Sequence, residues 1–277
     1  MATLAQPGVP WWTGLGDRPD RLNHSALRRT VEIRLYAELN DFVAREFRKR
    51  SFVYQFTGQP SIKDAVEAIG VPHTEIDLLL VNGESVNFSY LLRGRERVAV
   101  YPVFEGLDIS PVIRLRPAPL RVTRFVADVH LGRLARHLRL LGFDTVYRNN
   151  LDDSEIVAIS LAERRIVLTR DRGILKHGCL THGYWVRSCI PREQVAEVIK
   201  ALQLESKLRP FTRCSVCNGC LTSVDKAKLA GCLPPRVAQT LDTFFRCEGC
   251  GKVYWRGSHV DSLCRWMAGL RGSRRED

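Results

Sequence analysis

Four of the nine cysteines fall into two Cys-x-x-Cys pairs, Cys214/Cys217 and Cys247/Cys250, with 29 residues between the pairs. Two such knuckles supply four thiolates, the set a tetrahedral Zn²⁺ prefers, and the spacing argues against a disulfide framework. Gly219 and Gly251 stand just past their knuckles, where a tight turn is expected. The segment has few large apolar residues, so metal binding would supply much of its folding energy. Because cysteine fills all four positions, the zinc is expected to be structural. Cys220 competes with Cys217 as a ligand, and His259 is a weaker alternative. Cys217 is preferred because it repeats the spacing of the second pair. Cys179, Cys189, Cys220, Cys232 and Cys264 follow no paired pattern and read as small buried apolar residues.

The rest of the chain alternates strand and helix signals. Residues 1–29 show no sustained period and read as a flexible arm. From Thr30, Val31, Ile33 and Leu35 alternate with Glu32 and Arg34, the strand period. Residues 52–56, 78–81 and 97–101 are further strand candidates. A helix starts at Ser61, with Asp64 three positions on, and stops at Gly70. The order β-β-α-β-β predicts a small β-grasp domain over residues 30–106. A proline-punctuated linker follows at 107–122. Strand and helix then alternate through 123–205, which predicts a parallel α/β sheet with helices on both faces. A zinc ribbon is expected over 206–262 and a basic tail over 263–277. The predicted fold class is thus multidomain α/β and α+β.

Charge is uneven along this layout. Residues 1–120 carry 15 Lys/Arg against 14 Asp/Glu, a net of +1. Residues 206–277 carry 13 against 6, a net of +7, out of +12 for the chain. A positive field concentrated in one region attracts phosphate backbones. The run from Lys252 to His259 interleaves Lys252, Trp255, Arg256 and His259 with aromatic residues, a pattern that can stack bases and contact phosphates. Val253 and Trp255 serve equally well as packing for the ribbon. No apolar run approaches the roughly 20 residues that span a bilayer. The first residues lack a basic stretch followed by an apolar core, so no membrane partner and a cytoplasmic location are expected.

Within the basic chain lies a small acidic constellation. The predicted strand 124–127 runs into Asp128, and the strand 165–170 runs into Asp171. In open α/β sheets, ligands bind beyond the carboxyl ends of the strands. Carboxylates gathered there repel one another unless a cation sits between them, and hard oxygen ligands suit Mg²⁺ or Mn²⁺. Asp152 and Glu155 provide a third acidic position, although Asp152-x-x-Glu155 also has the form of a helix capping box. Asp144 and Asp153 read as solvated turn residues. Arg170, Arg172 and Lys176 border Asp171 and are candidates for phosphate contact. His130 and His137 have no visible partner and read as surface or packed residues.

Taken together, these segments resemble a known family. Phe125 to Asp128 and Leu131 to Thr145, then Asp152 to Glu155 and Arg165 to Gly173, are similar to the mutator-seven carboxy-terminal RNase domain, a PIN-like nuclease family. Pro210 to Cys214 and Cys250 to His259 resemble its zinc ribbon. Tyr36 to Asn40 and Val81 to Val86 resemble the ubiquitin-like module found in many bacterial members. The resemblance implies a PIN-like fold and a metal-dependent RNase, with acidic positions at Asp128, at Asp152 or Glu155, and at Asp171. His130 departs from the small or apolar residue expected there. No Gly-Gly ends the β-grasp segment, which argues against carrier chemistry and for a module that docks a protein partner. The expectation is therefore a ribonuclease with catalytic Mg²⁺ or Mn²⁺, structural Zn²⁺ and RNA as partner. An RNA-binding adaptor without catalysis and a protein-interaction scaffold are its rivals.

Overall fold

The computed structural model describes residues 28–102, 115, 122–229, 231, 233–257, 262, 265 and 266. His259, the arm before residue 28, and nearly all of the expected linker and basic tail lie outside these residues. The chain divides into two compact units, Met1–Ala118 and Pro119–Asp277.

The first unit contains β1 (Arg29–Leu35), β2 (Ser51–Phe56), α1 (Ile62–Ile69), β3 (Ile76–Val81), β4 (Glu84–Val86) and β5 (Arg97–Pro102). The alternation in β1 works as expected: Val31, Ile33 and Leu35 are buried, whereas Glu32 and Arg34 lie outward. The five strands form one sheet in the order β2-β1-β5-β3-β4. β1 and β5 run parallel and the other neighbours run antiparallel. Helix α1 begins with a complete capping box, in which Ser61 Oγ accepts from the Asp64 amide and the Asp64 carboxylate accepts from the Ser61 amide. It ends at Gly70, whose φ of 115° is open to glycine at little cost. This is the β-grasp arrangement, with the short β4 after the Asn82-Gly83 turn as an additional strand.

The second unit begins with β6 (Arg124–Ala127), α2 (Gly132–Leu140), β7 (Asp144–Val146), α3 (Asp153–Glu163), β8 (Ile166–Thr169), α4 (Arg172–Leu175), β9 (Gly183–Trp185) and α5 (Pro191–Ala201). Its four strands are all parallel, in the order β7-β6-β8-β9. Near-continuous apolar strands of this kind are covered on both faces. Phe125, Ala127 and Leu168 pack with Leu134, Leu138 and Val195 from α2 and α5. Val126 and Val167 face the other way, against Ile156, Val157 and Ile174 from α3 and α4. The period-2 alternation of β6 thus serves two cores at once.

The same unit carries β10 (Leu221–Val224), α6 (Pro235–Thr240), β11 (Phe244–Cys247) and β12 (Val253–Trp255). β10, β11 and β12 form a small antiparallel sheet. Phe244 is fully buried and pairs across strands with Trp255, while Phe211 stacks on Phe245 at 5.2 Å between centroids. No helix among the described residues is long and apolar enough to cross a membrane.

Candidate active site and metal centre

In the parallel sheet the chain steps from β6 outward to β7 and then returns to β8 on the other side of β6. The order therefore reverses between β6 and β8, and ligands bind at the carboxyl edge of such a switch point. Asp128 follows β6 and Asp171 follows β8, one on each side of that crevice. Asp128 is 4% exposed. Its Oδ2 accepts from Thr169 Oγ1 at 2.8 Å, and its Oδ1 takes only a long contact of 3.4 Å from the His130 amide. Thr169 Oγ1 in turn accepts from the Asp171 amide at 2.8 Å. One buried hydroxyl thereby links the two acidic positions. Asp171 also caps α4, accepting from the Gly173 amide at 2.7 Å.

The third carboxylate here is Asp153, the first residue of α3. Partial burial, and then the negative charges of Asp171, Asp128 and Asp152, push its carboxyl above the usual range. Like charges confined in this way favour a proton or a cation. Asp153 is exposed, as its sequence context suggests, but it opens α3 instead of lying in a turn. No periodic signal separates it from Asp152, because the two differ only in which side of the helix start they face. Asp152 and Glu155 meet as a reciprocal capping box: Glu155 N donates to Asp152 Oδ1 at 2.8 Å and Asp152 N donates to Glu155 Oε2 at 3.1 Å. Glu155 also pairs with Arg148 at 3.5 Å. The Ser154 hydroxyl, and then the Glu155 amide, hold the Asp152 carboxyl below the usual range. No three carboxylates among the described residues bring an oxygen each within 4.8 Å of one another.

The four cysteines do gather. Cys214, Cys217, Cys247 and Cys250 place their sulfurs within 4.8 Å of one another. Cys217 and Cys247 are 3.3 Å apart and Cys214 and Cys250 are 3.6 Å apart. Thiolates held about 2.3 Å from one zinc would stand at comparable separations. A Cβ at Gly219 would come within 3.1 Å of Cys247 Sγ and 3.3 Å of Cys217 Sγ, so the turn is closed tightly over the sulfurs. The chemistry fits a cation. Burial opposes ionisation of Cys214, but amide donors from Cys217 and Val216 and the Tyr254 hydroxyl outweigh it and hold the thiol at about 6. At Cys217 the Gly219 amide favours the thiolate, yet burial and the neighbouring sulfurs prevail and push it up to about 12. All four sulfurs can ionise together at this range only with a positive charge among them.

Cys179, Cys189 and Cys220 are exposed rather than buried, because each lies in surface turns or at the end of the ribbon strand. Cys232 and Cys264 lie outside the described residues.

The first knuckle is bound to the flank of the parallel sheet. Arg139, buried on α2, donates through Nη1 to the carbonyls of Val216 at 2.8 Å and Ser215 at 3.4 Å, and through Nε to that of Thr145 at 2.9 Å. Asn218 accepts from the Thr145 amide at 3.0 Å and donates to Asp144 Oδ1 at 2.7 Å. Asp144 also pairs with Arg165 at 2.7 Å and Arg213 at 3.4 Å. Burial works against its charge, but the bonds from Arg165 and Asn218 and the charges of Arg165 and Arg213 hold its carboxyl below the usual range. Far from being a solvated turn residue, Asp144 is a half-buried junction, which a sequence alone conceals because its partners Arg165, Arg213 and Asn218 lie 21, 69 and 74 positions away.

Of the basic candidates, Arg170, Lys252 and Arg256 are exposed. Arg172 is half-buried, its guanidinium 4.3 Å from the Trp185 ring centroid, and Lys176 is half-buried beside it. Trp255 is half-buried in β12, and Lys252 Nζ lies 5.9 Å from the Tyr254 ring centroid.

The second unit is thus a doubly covered parallel α/β sheet with carboxylates at its switch point, fused to a ribbon whose four clustered cysteines could bind a metal. Residues 123–267 match the family described as Mut7-C RNAse domain, and residues 28–108 match the one described as Mut7-C ubiquitin. The first match spans more than half of the chain, and the chain belongs to the Mut7-C RNAse domain family. Comparison with curated proteins and with solved structures gave no match.

Proposed function

We propose that this protein is a metal-dependent ribonuclease of PIN-like type whose active site is the β6–β8 crevice. The observation that carries the reading is the Thr169 hydroxyl, which joins buried Asp128 to the Asp171 backbone across two adjacent parallel strands. Asp128 and Asp171 would hold Mg²⁺ or Mn²⁺, with the Asp153 carboxylate adding negative charge beside them and Asp152 and Glu155 shaping the start of α3. When bound, such an ion supplies an acidified water and neutralises charge on the scissile phosphodiester. The protein's own part is positional. Thr169 fixes one Asp128 oxygen and leaves the other weakly engaged, and the α4 cap fixes the Asp171 carboxylate. The four cysteines would hold one structural Zn²⁺, and the ubiquitin-like unit would dock a protein partner.

The test is cleavage of end-labelled RNAs by zinc-loaded protein with added Mg²⁺, added Mn²⁺ or neither. The expected result is cleavage only with added metal, abolished in D128N and strongly reduced in D153N. Equal cleavage by the variants and the parent chain would overturn this site.

A further inference from the structure

A cavity of about 630 Å³ lies between α2, α5 and the ribbon. Its floor is apolar and aromatic, formed by Leu140, Val253, Tyr254 and Trp255. Arg133, Arg136, Arg192 and Lys252 stand around it, all four exposed. None of them pairs with a carboxylate among the described residues. Four exposed cations with no carboxylate partner among the described residues, placed around an apolar and aromatic lining, form a surface suited to a polyanion.

The groove does not end there. A second cavity, of about 550 Å³, shares Arg133 and Arg136 with the first and continues past His130 to Arg170. His130 lies two residues after Asp128, and Arg170 immediately precedes Asp171. The basic residues thus form a track from the aromatic strand of the ribbon to the acidic crevice. Arg133 and Arg136 are three apart on α2 and therefore share a helix face.

We propose that this groove is the binding path for single-stranded RNA, with bases stacked over Tyr254 and Trp255 and phosphates held by Arg133, Arg136 and Arg192. The inference rests on the nuclease reading above and adds its substrate class and direction of entry. Stacking on aromatic side chains combined with a cationic groove is how single strands are gripped without sequence preference. In a duplex the base faces are already stacked on one another and cannot reach the aromatic floor. An acidic peptide would satisfy the arginines but would leave the rings unused.

The test measures equilibrium binding of fluorescent single-stranded RNA by the full-length D128N protein over a series of salt concentrations. A triple variant, R133A/R136A/R192A, is compared with R45A/K49A/R50A, which removes equal charge from exposed residues of the other unit. The groove variant is expected to bind at least about tenfold more weakly, with a salt slope reduced by about 2, since each phosphate contact on a single strand contributes about 0.7. The control variant is expected to keep the parent values. Equal loss in both variants, equal affinity for the corresponding duplex, or equal competition by polyglutamate would each overturn the proposal. Cleavage is scored separately, with Asp128 intact. Metal-dependent cleavage accompanied by groove-independent binding would reject the path and leave the nuclease standing.

Discussion

At the scale of single residues, the start of α3 separates two roles that adjacent acidic side chains could share. Asp152 and Glu155 spend their oxygens on each other's amides, whereas Asp153 is pressed by the charges of Asp171 and Asp128. D153N is accordingly expected to lower single-turnover cleavage by on the order of 100-fold, the scale of losing several kcal/mol of metal-derived stabilisation. D152N and E155Q are expected to stay within about threefold of the parent rate while lowering the melting temperature, because they weaken a helix cap. Calorimetry beside quench-flow cleavage distinguishes the two patterns, and a reversed order would move the site to Asp152. Thr169→Val keeps the shape of a fully buried residue but leaves the Asp171 amide without its acceptor. It is expected to cost about 1–3 kcal/mol in urea unfolding and to slow cleavage as well.

At the scale of elements, the knuckle and the sheet stabilise each other. Arg139 is held by two knuckle carbonyls, and Asn218 bridges the knuckle to β7. Stripping any metal held by the four cysteines with a strong chelator, or breaking the set by Cys247→Ser, is therefore expected to raise hydrogen exchange in β7 and the end of α2 as well as in the ribbon. Exchange confined to 211–257 would show that the two parts are independent. Most strands and the longer helices of the first two sheets, and the cysteine set, were legible in the sequence because each is written locally: alternation in β1, a capping box at Ser61, repeated spacing at the knuckles; the short β4, α4 and α6 were not. The parallel sheet was legible for the same reason, since a strand buried on both faces reads as a continuous apolar run. What was not legible is what depends on distant partners. Asp144 owes its role to Arg165, Arg213 and Asn218, and Asp153 owes its role to the neighbouring strand ends. The basic track is hidden in the sequence for a related reason: Arg133, Arg136 and Arg192 come from two helices and meet Trp255 only through the fold.

At the scale of the whole molecule, every residue assigned to cleavage or to the RNA path belongs to the unit Pro119–Asp277. A chain beginning at residue 119 is expected to retain metal-dependent cleavage within about threefold of the full-length rate, with the ubiquitin-like unit contributing to partner choice rather than chemistry. Its acid sensitivity should follow Asp144. The folded pKa of this carboxyl is lowered, so its stabilising contribution is complete above the ordinary aspartate range of about 3.9 and is lost as pH falls through the lowered value. D144N is expected to be less stable than the parent at pH 7 and to show a flatter decline below about pH 4, as read from urea midpoints across that range. The Arg139 clamp also orders events during synthesis. By the time α5 has left the ribosome, β6 to β9 are complete, yet Arg139 and Asp144 still await Ser215, Val216 and Asn218, and the metal set still awaits Cys247 and Cys250. The sheet that carries the acidic crevice is thus finished last by residues far downstream, and a nascent chain whose four cysteines stayed apart would remain a target for proteolysis until the ribbon closed on its flank.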